Sequence, residues 1–306
     1  MPDSDWTRED PAREDPARED PGRVDPARVD PAREDSLLAE HLAAEAGAAL
    51  VELRERTPAG DPKALGAAGD RLAHALLMDR LAEFRPADSV LSEEGADDLR
   101  RLSADRVWIV DPLDGTREYG EDGDAHGRRD DWAVHVALWT RAEGVRVGAV
   151  AIPARGQVFG TAAPVRLSSA ARPSSAARPS SAARPSSAAR PSSAAIRLAV
   201  SRSHPAPVVD YLRGVVDVEL VPMGSAGVKA MAVVTGEVDA YVHDGGQYEW
   251  DSAAPVAVAW AAGCIAHRLD GSPLVYNREN PWLPDLVVCT PAVADVLEAA
   301  LRRRGK

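Results

Sequence analysis

From residue 36 the apolar positions fall on a helical repeat. In SLLAEHLAAEAGAALVELRER, Leu38, Leu42, Ala46, Ala49 and Leu53 line one face of a predicted helix, and Ser36 reads as its N-cap. DRLAHALLMDRLAEF, residues 70–84, predicts a second helix that closes before Pro86. The period then changes. SVLSEEG (89–95) reads as a short strand ending in acids, and RVWIVDP (106–112) as a longer one. DWAVHVALWT (131–140) alternates and VRVGAVAIP (145–153) follows across a turn, which predicts an antiparallel pair. Further on, IRLAVSRS (196–203) and DAYVH (239–243) read as strands. SAGVKAMAVVTGEV (225–238) and DSAAPVAVAWAAG (251–263) read as helices, the last ended by Gly263. Strands alternating with helices argue for an α/β fold in layers.

Two tracts break this pattern. Residues 1–35 repeat a unit close to P-A-R-E-D; a proline every fifth residue forbids a continuous helix, and there is almost nothing to bury, so a disordered tail is expected. RPSSAA occurs four times between Arg172 and Ala195, which predicts a slack low-complexity linker over 164–195. The tracts leave an N-terminal half, 36–163, and a smaller C-terminal half, 196–306.

Composition narrows the function classes. A net charge of −12 excludes a protein that grips a nucleic-acid backbone, which needs a basic face. Cys264 and Cys289 are the only cysteines, so no disulfide framework is implied. No apolar run reaches the roughly 18 residues of a spanning helix, and the charged N-terminus lacks an apolar signal core. A cytoplasmic protein with no membrane partner is expected.

The chemistry concentrates in VWIVDPLDGTREYG, residues 107–120. Asp111 and Asp114 stand close together at the end of a predicted strand, with Pro112 between them and Gly115 after them. Two unpaired like charges repel, and one pKa would be driven upward. A hard divalent cation removes the conflict, because Mg2+ takes carboxylate and carbonyl oxygens. Glu93 and Glu94 end the preceding strand, and neighbouring strands can bring such ends within a few ångströms. Asp251, in YEWDSAAP, stands at a helix start, where a carboxylate also serves as an N-cap. DPLDG alone is compatible with an Asx-type turn, and SEEG alone with an acidic loop.

Taken in order, these pieces resemble the signature of the lithium-sensitive, Mg2+-dependent phosphomonoesterases, the superfamily of inositol monophosphatases and fructose-1,6-bisphosphatases. That signature is a Glu-Glu pair, then D-P-[ILV]-D-G-T after a strand, then W-D near a helix start. Here they are Glu93-Glu94, Asp111 to Thr116, and Trp250-Asp251, spread over both ordered halves. LSEE with DPLDGTREY and SRSH looks most like the 3'(2'),5'-bisphosphate nucleotidases within it. The resemblance implies a layered αβαβα sandwich. It also implies Mg2+-dependent hydrolysis of 3'-phosphoadenosine 5'-phosphate to AMP, with inositol phosphates or fructose 1,6-bisphosphate as the alternative substrates. Relatives are often dimers, so a homodimer is among the expected states.

Residue by residue, the resemblance implies two or three Mg2+ ions per site. Glu93, Asp111 and the Leu113 carbonyl would hold one ion, and Asp111 would bridge to a second completed by Asp114 and Asp251. Thr116, oriented by Asp70, would position the attacking water. Gly115 lets the backbone approach the phosphate, whose oxygens the amides of Gly115 and Thr116 would receive. His204, Ser225 and Lys229 would face the rest of the nucleotide. His41, His74, His126, His135, His243 and His267 show no metal-ligand spacing and are expected to be structural. The chain departs from the pattern at AAGD before Asp70, where T-x-A-D or S-x-A-D is usual, and in the long charged loop GEDGDAHGRRDD.

Overall fold

The computed structural model describes residues 30–304 except 59, 122–127, 166–194 and 204. The expected disorder before residue 30 and most of the expected linker lie outside the described residues. Two long helices open the fold, α1 (Pro31–Arg56) and α2 (Pro62–Phe84). Helix α1 begins five residues before the expected cap at Ser36. Asp30 caps it by accepting from the amide of Ala32, and Pro31 occupies the first turn, where its missing N–H is no loss. The early turn is anchored by Asp35, which pairs with both Arg85 and Arg106. Ser36 instead lies inside the helix, its hydroxyl on the carbonyl of Ala32.

The first sheet contains β1 (Ser89–Ser92), β2 (Arg106–Asp114), β3 (Ala133–Thr140), β4 (Gly144–Ile152) and β5 (Gln157–Gly160) in that order. Strands β1 and β2 run parallel; the other neighbours are antiparallel, including the expected β3–β4 pair. Short helix α3 (Thr116–Gly120) leaves the end of β2. Strand β2 is buried nearly throughout, as its continuous apolar run requires of a strand covered on both faces.

The second half supplies β6 (Ile196–Ser201), α4 (Pro207–Val215), β7 (Val218–Met223), α5 (Ala226–Val234), β8 (Ala240–His243), β9 (Gln247–Tyr248) and α6 (Glu249–Ala262). It ends with β10 (Ile265–His267), β11 (Trp282–Leu283), β12 (Leu286–Cys289) and α7 (Ala294–Arg304). Its main sheet has the order β10-β12-β8-β6-β7, and β9 pairs with β11 in a separate ribbon. Three apolar cores separate the layers. Leu42, Leu50 and Leu77 of α1 and α2 pack on Trp108, Val110 and Val136 of the first sheet. Val228, Met231, Val256 and Val258 of α5 and α6 fill the space between the sheets. Leu212 and Leu297, from α4 and α7, cover the outer face of the second sheet. The order is therefore α1/α2, sheet, α5/α6, sheet, α4/α7: the αβαβα sandwich. Among the described residues no helix is long and apolar enough to cross a membrane.

Candidate active site

Strand geometry alone would keep Asp111 and Asp114 apart, because residues an odd number of positions apart point to opposite faces. Between them β2 slips against β3: Asp111 lies opposite His135, and Asp114 opposite Ala133. Three steps on one strand match two on the other, which is a β-bulge. Pro112 sits in this bulge, where a residue without an N–H costs no ladder bond. The bulge turns both carboxylates to the same side, and His135 touches both: Nδ1 lies 3.9 Å from Asp111 Oδ2, and Nε2 lies 3.1 Å from Asp114 Oδ2.

The two aspartates then meet different surroundings. Asp111 is 1% exposed; its Oδ1 accepts from the amide of Leu113 at 3.1 Å, but buried Oδ2 has no hydrogen-bond donor. Burial, followed by the charges of Glu93, Asp114 and Asp251, pushes its pKa well above the usual carboxylate range. Asp114 gathers its partners on Oδ2: the Ser225 hydroxyl donates at 2.5 Å and the Gly227 amide at 2.7 Å. Burial pushes Asp114 upward, but His135, Lys229 and the Gly227 amide outweigh it and hold the carboxyl below its ordinary pKa.

His135, expected to be structural, lies inside the acidic cluster. Its Nδ1 lies 3.1 Å from the carbonyl of Trp250, which only accepts, so Nδ1 carries the proton. Nε2 touches Asp114 without an aligned hydrogen bond, and is best described as an ion-pair contact. Burial lowers the imidazole pKa, but Asp114 more than restores it, and the net shift is upward. A side chain at Gly227 would collide with this ring, so the bare start of α5 is what admits His135. The sequence signal was available in principle: His135 faces Asp111 once the β2–β3 register is known.

The remaining acids arrive from three other elements. Glu93 follows β1 at the rim and is exposed; desolvation by the protein around it and then the charge of Asp251 push it up to about 7. Asp251 lies in the first turn of α6 and accepts from the amide of Tyr248 at 2.6 Å; burial and then Asp114 raise it to about 6. Asp70, on α2, is raised to about 6 by burial and then by Glu94. Gly115, at φ 92°, turns the chain from β2 into α3 in a conformation that disfavours other residues. Thr116 follows, its Oγ1 3.2 Å from both Asp70 Oδ1 and the Leu113 carbonyl. The expected Thr116–Asp70 pair is thus assembled from α2 and α3.

Lys229 and Ser225 lie elsewhere than a simple substrate contact requires. Lys229 is 5% exposed; its ammonium donates to the carbonyls of Gly224 and Ser225 and lies 5.2 Å from the centre of the Tyr241 ring. The Ser225 hydroxyl is used by Asp114 and by the amide of Val228. His204 lies outside the described residues. Sequence reasoning missed Asp131, which is buried and accepts from both the Gly224 amide and Arg202. It ties the turn before α5 to the loop before β3.

Whether these residues suit a divalent cation is answered by the donor set. Asp111, Asp114 and His135 bring one ligand atom each within 4.8 Å of one another. Oxygen donors dominate, two more carboxylates approach, and Asp111 Oδ2 lacks any donor. A divalent cation fits that arrangement, and hard oxygen donors favour Mg2+ over softer metals.

Comparison with known proteins agrees with this geometry. The model of the inositol monophosphatase family matches residues 35–302. The 3'-phosphoadenosine 5'-phosphate phosphatase of Mycobacterium tuberculosis (strain CDC 1551 / Oshkosh) is 47% identical over 261 residues, covering 84% of this chain and 89% of that protein. The 3'(2'),5'-bisphosphate nucleotidase CysQ of Escherichia coli (strain K12) is 30% identical over 218 residues, covering 71% of this chain and 81% of its own. The crystal structure of CysQ from Bacteroides thetaiotaomicron superposes with a TM-score of 0.65 at 26% identity, over 84% of this chain and 97% of that one. Bulge, acids, layers and matched length converge: the chain belongs to the inositol monophosphatase family.

Proposed function

We propose that the protein is a Mg2+-dependent phosphomonoesterase that converts 3'-phosphoadenosine 5'-phosphate to AMP and phosphate. The chemistry rests on one observation above all: buried, donorless Asp111 Oδ2 among further carboxylates from three elements. The substrate is supported by the 47% identity to a phosphatase bearing that name. In this reading Glu93, Asp111, the Leu113 carbonyl, Asp114 and Asp251 hold the ions. Bound Mg2+ would supply charge neutralisation for the phosphoryl group and activation of water at neutral pH.

The chain's own groups do the rest. Thr116 Oγ1 orients the water, and Asp70, with its pKa near 6, is poised to receive the proton passed through that hydroxyl. Backbone amides of Gly115 and Thr116 are assigned to the phosphate oxygens. Lys229 and Ser225 shape the substrate side through the Gly224–Ser225 backbone; His204 is assigned to the nucleotide by the resemblance alone. Water's oxygen forms the new bond to phosphorus as the bond to the 3'-oxygen breaks, and the 3'-oxygen leaves as the hydroxyl of AMP by taking a proton from solvent water.

A substrate panel tests this. Phosphate release from 3'-phosphoadenosine 5'-phosphate, inositol 1-phosphate and fructose 1,6-bisphosphate is followed with Mg2+ and with excess chelator. The expected outcome is Mg2+-dependent turnover with kcat/KM for the nucleotide at least about tenfold above the others, which is about 1.4 kcal/mol. Full turnover in chelator would sink the metal reading. Equal rates on inositol 1-phosphate would move the inositol phosphatase alternative ahead.

A further inference from the structure

Arg101 is 0% exposed although it carries a full charge, and every arm of its guanidinium is used. It lies on a short 3-10 helix, Leu99–Ser103, that begins six residues after Glu93. Nε and one terminal nitrogen form a fork on Asp97 at 2.7 and 2.8 Å. That terminal nitrogen also donates to the Arg278 carbonyl at 2.9 Å, and the other donates to Asn277 Oδ1 at 2.7 Å. Asn277 holds a left-handed backbone at φ 59°, uncommon for a residue with a side chain. That conformation points the amides of Asn277 and Arg278 at one carboxylate: Glu249 accepts them at 2.6 and 2.9 Å. Glu249 is buried, opens α6, and stands two residues before Asp251.

The chain of contacts Asp97–Arg101–Asn277–Glu249 therefore runs from the segment after Glu93 to the residue that starts the helix of Asp251. Glu93 and Asp251 come from different halves of the fold, and no backbone ladder joins β1 to α6. We propose that Arg101 is a positioning residue of the metal centre: with Asn277 and Glu249 it is a buried strut that fixes the spacing between Glu93 and Asp251. The inference rests on the metal reading above, and deepens it. A buried charge is costly to desolvate unless it is fully paired. A surface loop has no need of one. Planar, five-donor Arg spans three acceptors from two segments at once, which the single ammonium of Lys cannot do in the same geometry.

The test uses full-length Arg101→Lys and Asn277→Gly. Glycine keeps the left-handed backbone available while removing the side-chain link, so this second variant stays informative if the first folds poorly. Mg2+ is titrated calorimetrically into each protein without substrate, and turnover is measured against Mg2+ concentration. The expected result is Mg2+ affinity weakened about tenfold, the scale seen when groups that orient metal ligands are removed. The half-saturating Mg2+ should rise by the same factor, with kcat at saturating Mg2+ close to wild type. Unchanged Mg2+ affinity with only a lowered melting temperature would overturn the proposal and leave Arg101 a structural residue. Failure of the wild type itself to bind Mg2+ would overturn the metal reading, and the strut with it.

Discussion

The rim formed by Glu93, Asp111 and Asp251 lies against the floor formed by Asp114, His135, Ser225 and Gly227, yet the two are built by opposite electrostatic rules. On the rim, acids press against one another and against protein, and their pKa values rise. On the floor, Asp114 is surrounded by a hydroxyl, an amide and an imidazole, and its pKa falls. The floor is satisfied by the protein itself. The rim is satisfied only when something positive is supplied. A fold stable in both states needs the first kind of carboxylate, and a site that attracts a cation needs the second.

Substitution should separate the two. Asp111→Asn removes the rim's most crowded carboxylate and should lower kcat by about 10²- to 10³-fold, the scale of losing one major source of transition-state charge stabilisation. Its metal-free melting temperature should hold or rise as repulsion is relieved. Glu93→Gln should lose less activity. Asp114→Asn should do the reverse to stability, lowering it by about 1–3 kcal/mol, because charge-assisted hydrogen bonds become neutral ones and buried His135 and Lys229 lose the charge they face. Denaturant melts of the two metal-free variants that shift in the same direction would break the comparison.

pH gives the next effect. Asp70 and Asp251 are raised to about 6 and Glu93 to about 7, from ordinary values near 4. Between those limits the folded, metal-free protein holds more protons than the unfolded chain, so stability falls as pH rises from about 4 to about 7. Mg2+ favours the ionised carboxylates and should flatten that decline. Thermal melts with and without Mg2+ across this range check both signs; a metal-free melting temperature that climbs toward pH 7 would contradict the crowded rim. The smallest effect is expected on the floor. Ser225→Ala deletes the hydrogen bond to Asp114 and the cap on the Val228 amide, and should cost about 1–2 kcal/mol in a denaturant melt. Because Gly227 and His135 remain, turnover at saturating Mg2+ should change little.

Much of this site was legible as residue types in order. Asp111 and Asp114 stood out as a crowded pair after an apolar run, whereas Glu93 and Asp251 were each compatible with a loop or an N-cap and joined the site only through the resemblance of the ordered motifs. The helices of α2, α5 and α6 and the β3–β4 pair followed from their periods. Other features were not legible for definite reasons. The start of α1 lay inside a repeat whose prolines argued against any helix, and the pairing of Asp35 with Arg85 and Arg106 is a contact between distant residues. Lys229 was expected to face the nucleotide, but the strained turn at Ser225, φ 20°, puts two carbonyls within its reach.

The sequence by itself determined that this protein is an α/β chain with a carboxylate-rich site after one buried strand. Local pattern is enough for that, since hydrophobic period and short motifs act within a few residues. Tertiary structure alone decided that Asp111 and Asp114 share a face, because a one-residue slip against β3 reverses which way a strand residue points. It also decided that His135 touches both, which depends on the β2–β3 register, and that Arg101 reaches Asn277 in the other half, which depends on packing between segments far apart in the chain.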